Sequence, residues 1–222
     1  HYRWNFDNDN DEFMQFHFQT IYSGEDVEQA AKERMAFIKR EVNPAWGVSP
    51  ENHQFIESYH LTTLRKLNAH FAQYPYFLGG KPCRGDFGMM APLYGHLGRD
   101  PAPLALMQKH AVRLFRWTER MNRPEPDVGE FANKDANYLP QDEVPATLID
   151  ALKHFATDLV PESRAACAVI NQWLAANPDM PVGTEVARGV GPCQFRVGDS
   201  VISTEAQPFR FYLLKRMQDA FA

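Results

Sequence analysis

Glu57-Ser58-Tyr59-His60 and Cys83-Arg84-Gly85-Asp86 are two short stretches in which groups capable of chemistry stand three positions apart. On a helix that spacing brings both side chains to one face, and Glu-x-x-His is the pattern by which bundle proteins hold a pair of iron ions. Such a centre needs the motif twice. No other histidine in this chain has Glu three residues before it, so His60 is read as an imidazole beside core aromatics, and no metal is expected. His17, His53, His70, His96, His110 and His154 are scattered and take the same structural reading. Cys83 precedes an apolar stretch with helical character, and a helix N-terminus lowers a thiol's pKa, so a nucleophilic role competes with that of a structural cap. The cap is preferred, because Asp86 has the spacing of a capping-box acid that reaches back to an N–H otherwise left unpaired. Cys167 reads as core. Cys193, in the loop "VGPCQF", is expected to be the more exposed, with no evident activating base.

The elements that must position these groups are mostly helical. Phe13, Phe16, Phe18 and Tyr22 follow an Asn/Asp-rich opening that can cap a first helix over 9–22. In the next, Val27, Ala31, Met35, Ile38 and Val42 recur at helical spacing. Ser49-Pro50-Glu51 combines a cap, a proline at the first helical position and an acid in the first turn, and starts a helix expected to reach Tyr74. Met89, Met90, Leu93 and Tyr94 predict a helix buried on most sides, ending near Leu97. One further helix is expected from Leu104 to Met121, with Met107, Ala111, Leu114 and Phe115 inward and Arg113, Arg116, Glu119 and Arg120 outward. The segment 122–145 holds four prolines and reads as an ordered surface excursion. Helical patterning resumes over 145–177 with a break expected at Pro161. A hairpin around Gly198-Asp199 and a terminal helix from about Glu205 to Ala222 complete the chain.

Composition narrows the class. The 222 residues are 44% hydrophobic and 23% charged, which is ordinary globular usage. A net charge of -5 without a basic stripe gives a nucleic-acid groove little support. No apolar run is long enough to span a bilayer, and "HYRWNFDNDNDEF" has no signal-peptide pattern, so a cytoplasmic, non-membrane protein is expected. Three widely separated cysteines argue for free thiols rather than a disulfide framework or zinc knuckle.

"FLGGKPCRGDFGMMAPLYGHL" resembles the segment that opens the central helix in the helical C-terminal domain of cytosolic glutathione transferases. There a glycine turn is followed by Ser/Thr-x-x-Asp and an apolar helix. The likeness covers roughly residues 8–122, while 123–222 resembles the long C-terminal extensions of some bacterial members. It implies an all-α fold, a glutathione transferase C-terminal-like helical bundle carrying a small C-terminal β-hairpin and a terminal helix. Residues 1–8 would be an interdomain linker, 9–122 the bundle core and 123–222 an extension packed on it, one domain overall. Asp86 would be the acid that nucleates the core helix. Cys83 replaces the usual Ser or Thr and Gly85 the usual Ala, so a softer cap is expected.

The same resemblance implies a homodimer that conjugates glutathione, as cosubstrate, to hydrophobic small-molecule electrophiles. The thiolate-activating residue would lie in a thioredoxin-like domain, and none of that domain's motifs precedes His1. Val144-Pro145 with Glu162-Ser163, and Pro192 with Thr204-Glu205, imitate the glutathione-binding cis-Pro and acidic pair, but the first is embedded in helical patterning and the second lacks a preceding strand–helix–strand unit. Phe18, Tyr22 and Trp46 are the candidates for lining the electrophile cleft, each with core packing as its competing role. The alternative from another class is a non-catalytic binding or assembly module of the same fold, using 122–144 and the C-terminal hairpin and helix as its partner surface.

Overall fold

A computed structural model describes residues 1–6, 10–125, 127 and 129–220. Most of these are helical. In chain order the helices are α1 (Asp11–Gln19), α2 (Val27–Phe37), the short α3 (Asn43–Ala45), α4 (His53–Phe71), α5 (Arg84–Met90), α6 (Pro101–His110), α7 (Val112–Met121), α8 (Ala146–Ala176) and α9 (Pro208–Ala220). Strands β1 (Pro192–Val197) and β2 (Ser200–Glu205) pair antiparallel as the hairpin expected around Gly198-Asp199, with Phe195 opposite Ile202. Among the described residues no helix is long and apolar enough to cross a membrane.

The chain divides into two compact units, 1–35 with 54–155, and 36–53 with 156–222. The boundaries near 8 and 122 expected from sequence are not those of the units. Tyr2 is buried and Arg3 forms a two-pronged pair with Asp100 at 2.8 and 2.9 Å, so residues 1–6 pack into the first unit. Residues 7 and 8 of the expected linker lie outside the described residues.

The core of the first unit gathers Leu64, Leu67 and Phe71 of α4 with Met107 of α6 and Leu114 and Trp117 of α7. Their spacing of three and four places them on one helical stripe, as the sequence pattern required. Phe71 stacks on Trp117 with ring centres 5.0 Å apart. His70 is fully buried beside them, its Nδ1 2.9 Å from Thr147 Oγ1 and its Nε2 3.3 Å from the Tyr76 carbonyl. Burial lowers its pKa to about 4, so the ring is neutral, donating from Nε2 and accepting at Nδ1.

Four local expectations need correction. The helix expected over 104–121 breaks at Ala111 (φ -148°, ψ 51°), where Asn68 Oδ1 accepts the Arg113 N–H at 2.8 Å and so caps α7 from 45 residues away. Arg120, expected outward, is 1% exposed and donates to the Pro75 carbonyl at 3.0 Å and to Glu130 at 3.1 Å. The stretch after Cys83 is not buried on most sides: Asp86 and Leu93 face inward, but Phe87 is 64% and Tyr94 41% exposed. Finally, α8 runs unbroken through Pro161, absorbing the one missing N–H between its two packed ends, Leu148–Ala151 and Ala166–Ile170.

The segment after α7 is stitched to the turn before α5. Gly80 N–H donates to the Asn137 carbonyl at 2.7 Å, Leu139 N–H to the Leu78 carbonyl at 2.9 Å, and Tyr138 hydroxyl to the Pro82 carbonyl at 3.0 Å. A Cβ on Gly80 would lie 2.0 Å from the Asp135 carbonyl oxygen, so the close approach requires glycine there.

The second unit is built on the hairpin. Phe195, Val197 and Ile202 alternate inward along the strands; Cys193, expected in an exposed loop, instead lies in β1 with its side chain inward, buried with Ala166, Ile170 and Ala206. Gly47 has φ +78°, and a Cβ there would fall 2.5 Å from Ile202 Cγ2. The chain following α3 therefore lies directly against β2.

Candidate functional site

The Cys83–Asp86 stretch forms the reciprocal cap expected of it. Asp86 is fully buried at the third position of α5 and accepts three N–H groups: Cys83 backbone at 2.9 Å, Phe77 backbone at 3.1 Å and the Trp117 indole at 2.9 Å. Burial pushes the carboxyl pKa up, and the hydrogen bonds from Cys83 and Trp117 pull against that shift. Cys83 is half-buried, and burial pushes its thiol up as well. Asp86 is taken up by three donors and Cys83 by the start of α5, so the geometry of the pair is that of a structural cap.

Glu57 and His60 do not converge on a common point. Glu57 Oε1 lies 2.9 Å from His1 Nε2, whereas the His60 ring packs 5.2 Å from that of Tyr2 and is lowered by burial to about 4. Among the described residues no group of three or more His, Cys, Asp or Glu side chains gathers to hold a metal ion.

The three aromatic candidates fall in different places. Phe18, half-buried, lies on α1 near Trp4 with ring centres 6.0 Å apart, and Tyr22 follows α1, 36% exposed. Both belong to the first unit. Trp46 belongs to the second, just after α3, and it lines a cavity of about 240 Å³. The apolar side of that cavity is Phe37, Val42, Ala45 and Trp46; its polar side is Glu41, Glu205 and Arg188. The Arg188 guanidinium sits 5.2 Å over the Trp46 ring, a cation held by the indole face.

A second cavity of about 180 Å³ adjoins it, lined by the second half of α8 and by α9. Glu205 and Gln207, at the end of β2 and the entry to α9, line both cavities. Leu159, Ala166, Phe211, Leu214 and Met217 supply apolar walls, and Glu162 and Arg210 form a two-pronged pair at 2.6 and 3.2 Å on its edge. A third, more polar cavity of about 500 Å³ lies between the Pro44–Asn52 segment and the hairpin turn. Of the residues singled out from sequence, Trp46 lines a cavity; Glu162 and Glu205 were considered there only as imitations of a glutathione-binding pair, and Arg210 not at all. Glu162 and Arg210 stand 48 residues apart, on patterned helices where charged residues ordinarily face solvent.

The paired cavities combine a concave apolar surface with a few fixed charges, the arrangement of a small-molecule binding site. No family model, curated protein or solved structure matches this chain.

Proposed function

We propose that this chain forms the helical, substrate-binding part of a glutathione transferase, an enzyme that joins the glutathione thiolate to a hydrophobic electrophile. The observation that carries the reading is Asp86, buried at the start of α5 and holding Cys83, Phe77 and Trp117 together, which is the role the resemblance assigns to it. In this reading the first unit supplies the fold core. The Trp46 cavity is one wall of the electrophile pocket, its size suited to a body of about one aromatic ring. A cytoplasmic homodimer is the assembly that accompanies the reading.

The test uses the protein expressed from its complete coding sequence, assayed for conjugation of glutathione to 1-chloro-2,4-dinitrobenzene. Conjugation is expected, and Trp46→Ala should raise KM for the electrophile while leaving KM for glutathione unchanged. Absence of both glutathione binding and conjugation overturns the reading. A non-catalytic binding module then takes its place, a reading favoured by the apolar surface of α9, where Phe209 is 68%, Tyr212 54% and Met217 56% exposed.

A further inference from the structure

The α8–α9 cavity carries an imbalance of charge that its own residues do not resolve. Arg210 is fully engaged by Glu162, through two bonds of 2.6 and 3.2 Å. Those two charges cancel. Glu205 also lines the cavity, at its border with the Trp46 cavity where Glu41 and Arg188 stand, and among the described residues its carboxylate makes no ion pair, with Arg188 or any other cation, and no side-chain hydrogen bond. Its Oε2 lies close to the neighbouring loop, where a Cβ on Gly189 would be 2.7 Å away. Apolar walls surround these groups: Leu159, Phe211, Leu214 and Met217.

We infer that this cavity binds a small amphipathic amine, its ammonium group on Glu205 and its apolar body between Leu159 of α8 and Phe211, Leu214 and Met217 of α9. The choice of a cation follows from charge complementarity. A hydrophobic anion would have to open the two-pronged Glu162–Arg210 pair, leaving a carboxylate without its partner in a partly desolvated setting. A neutral guest leaves the carboxylate of Glu205 unmatched. An ammonium gains a charge-assisted bond there and disturbs nothing already formed. The inference needs no glutathione chemistry and stands apart from the function proposed above.

Isothermal titration calorimetry of the full chain with 2-phenylethylammonium chloride and with 2-phenylethanol, two probes of nearly equal shape, tests it. The ammonium should bind at least about ten-fold tighter at low ionic strength, with the preference shrinking as salt is raised. Glu205→Gln should reduce the preference to about one, whereas Glu41→Gln, which changes only the Trp46 cavity, should preserve it. Circular dichroism confirms that both variants are folded. Equal affinity for the two probes, no binding of either, survival of the preference in Glu205→Gln, or its loss in Glu41→Gln each overturns the inference.

Discussion

Replacing Asp86 with Ala removes one acceptor and leaves three buried donors, the Cys83 and Phe77 backbone N–H groups and the Trp117 indole. An orphaned buried donor costs about 1–3 kcal/mol. Three of them give about 3–9 kcal/mol, but Ala also relieves the desolvation of a buried carboxylate, the effect that raises its pKa. The net loss is therefore set at the lower end, about 3–5 kcal/mol, a large share of the about 5–15 kcal/mol that holds a domain folded. In a chain of this length each kcal/mol lowers Tm by roughly 2–4 °C, so a fall of about 6–20 °C is expected. Asp86→Asn can keep its oxygen toward Phe77 and Trp117 and present its amide to Cys83, losing one bond of three and about 1–2 kcal/mol. Thermal melting followed by near-ultraviolet circular dichroism reports tryptophan packing and suits a chain whose two units need not unfold together. The ranking wild type, Asp86→Asn, Asp86→Ala should emerge. A Tm for Asp86→Ala within about 2 °C of wild type would refute the reasoning, since less than about 1 kcal/mol would then rest on the three bonds.

Acid should destabilise the fold in a defined window. His60 and His70 are both held at about 4 against an ordinary value of 6.5. Between those values the unfolded chain takes up protons that the folded chain excludes, so stability rises with pH across the window and is lost as pH falls through it. Urea unfolding from pH 7 to 4 should show the contribution of each histidine as roughly 1.4 kcal/mol per pH unit at most, and His70→Gln should remove one of the two. Gly80→Ala should cost about 1–3 kcal/mol and speed hydrogen exchange at Leu139, because the new methyl drives into the Asp135 carbonyl. Cys83→Ser should hold or raise stability by up to about 1 kcal/mol, a hydroxyl being the better cap acceptor; a clear loss in Tm would count against the reading of Cys83 as a cap acceptor.

Where contacts are local, the sequence announced them. The capping acid three residues after Cys83, the hairpin around Gly198-Asp199 and the inward stripe of Met107, Ala111 and Leu114 are each written in spacings of two to four residues. What escaped depends on partners distant in the chain. Ala111 is a strong helix former, and nothing beside it says that Asn68 will cap a new helix two residues later. Arg120 looks like a solvated charge until Pro75 and Glu130 are brought to it. Pro161 reads as a stop, yet burial of Leu148 and Ala151 before it and of Ala166 and Ile170 after it offsets the roughly 3 kcal/mol that an interior proline costs. The second cavity was illegible for the same reason. Its charge balance arises only when β2, α8 and α9 are assembled, and each contributes a residue that is unremarkable alone.

The stitching of residues 135–139 onto Leu78-Gly79-Gly80 bears on how this protein can change through descent. Backbone meets backbone there: the oxygens and nitrogens of Asp135, Asn137 and Leu139 face the glycines. Side chains at 135 to 137 are exposed and enter none of those bonds, so substitution there should be nearly free, while insertion or deletion between Asp135 and Leu139 would break the register of these bonds. Relatives of this chain should therefore hold glycine at position 80 and a fixed segment length, and let the letters between them drift.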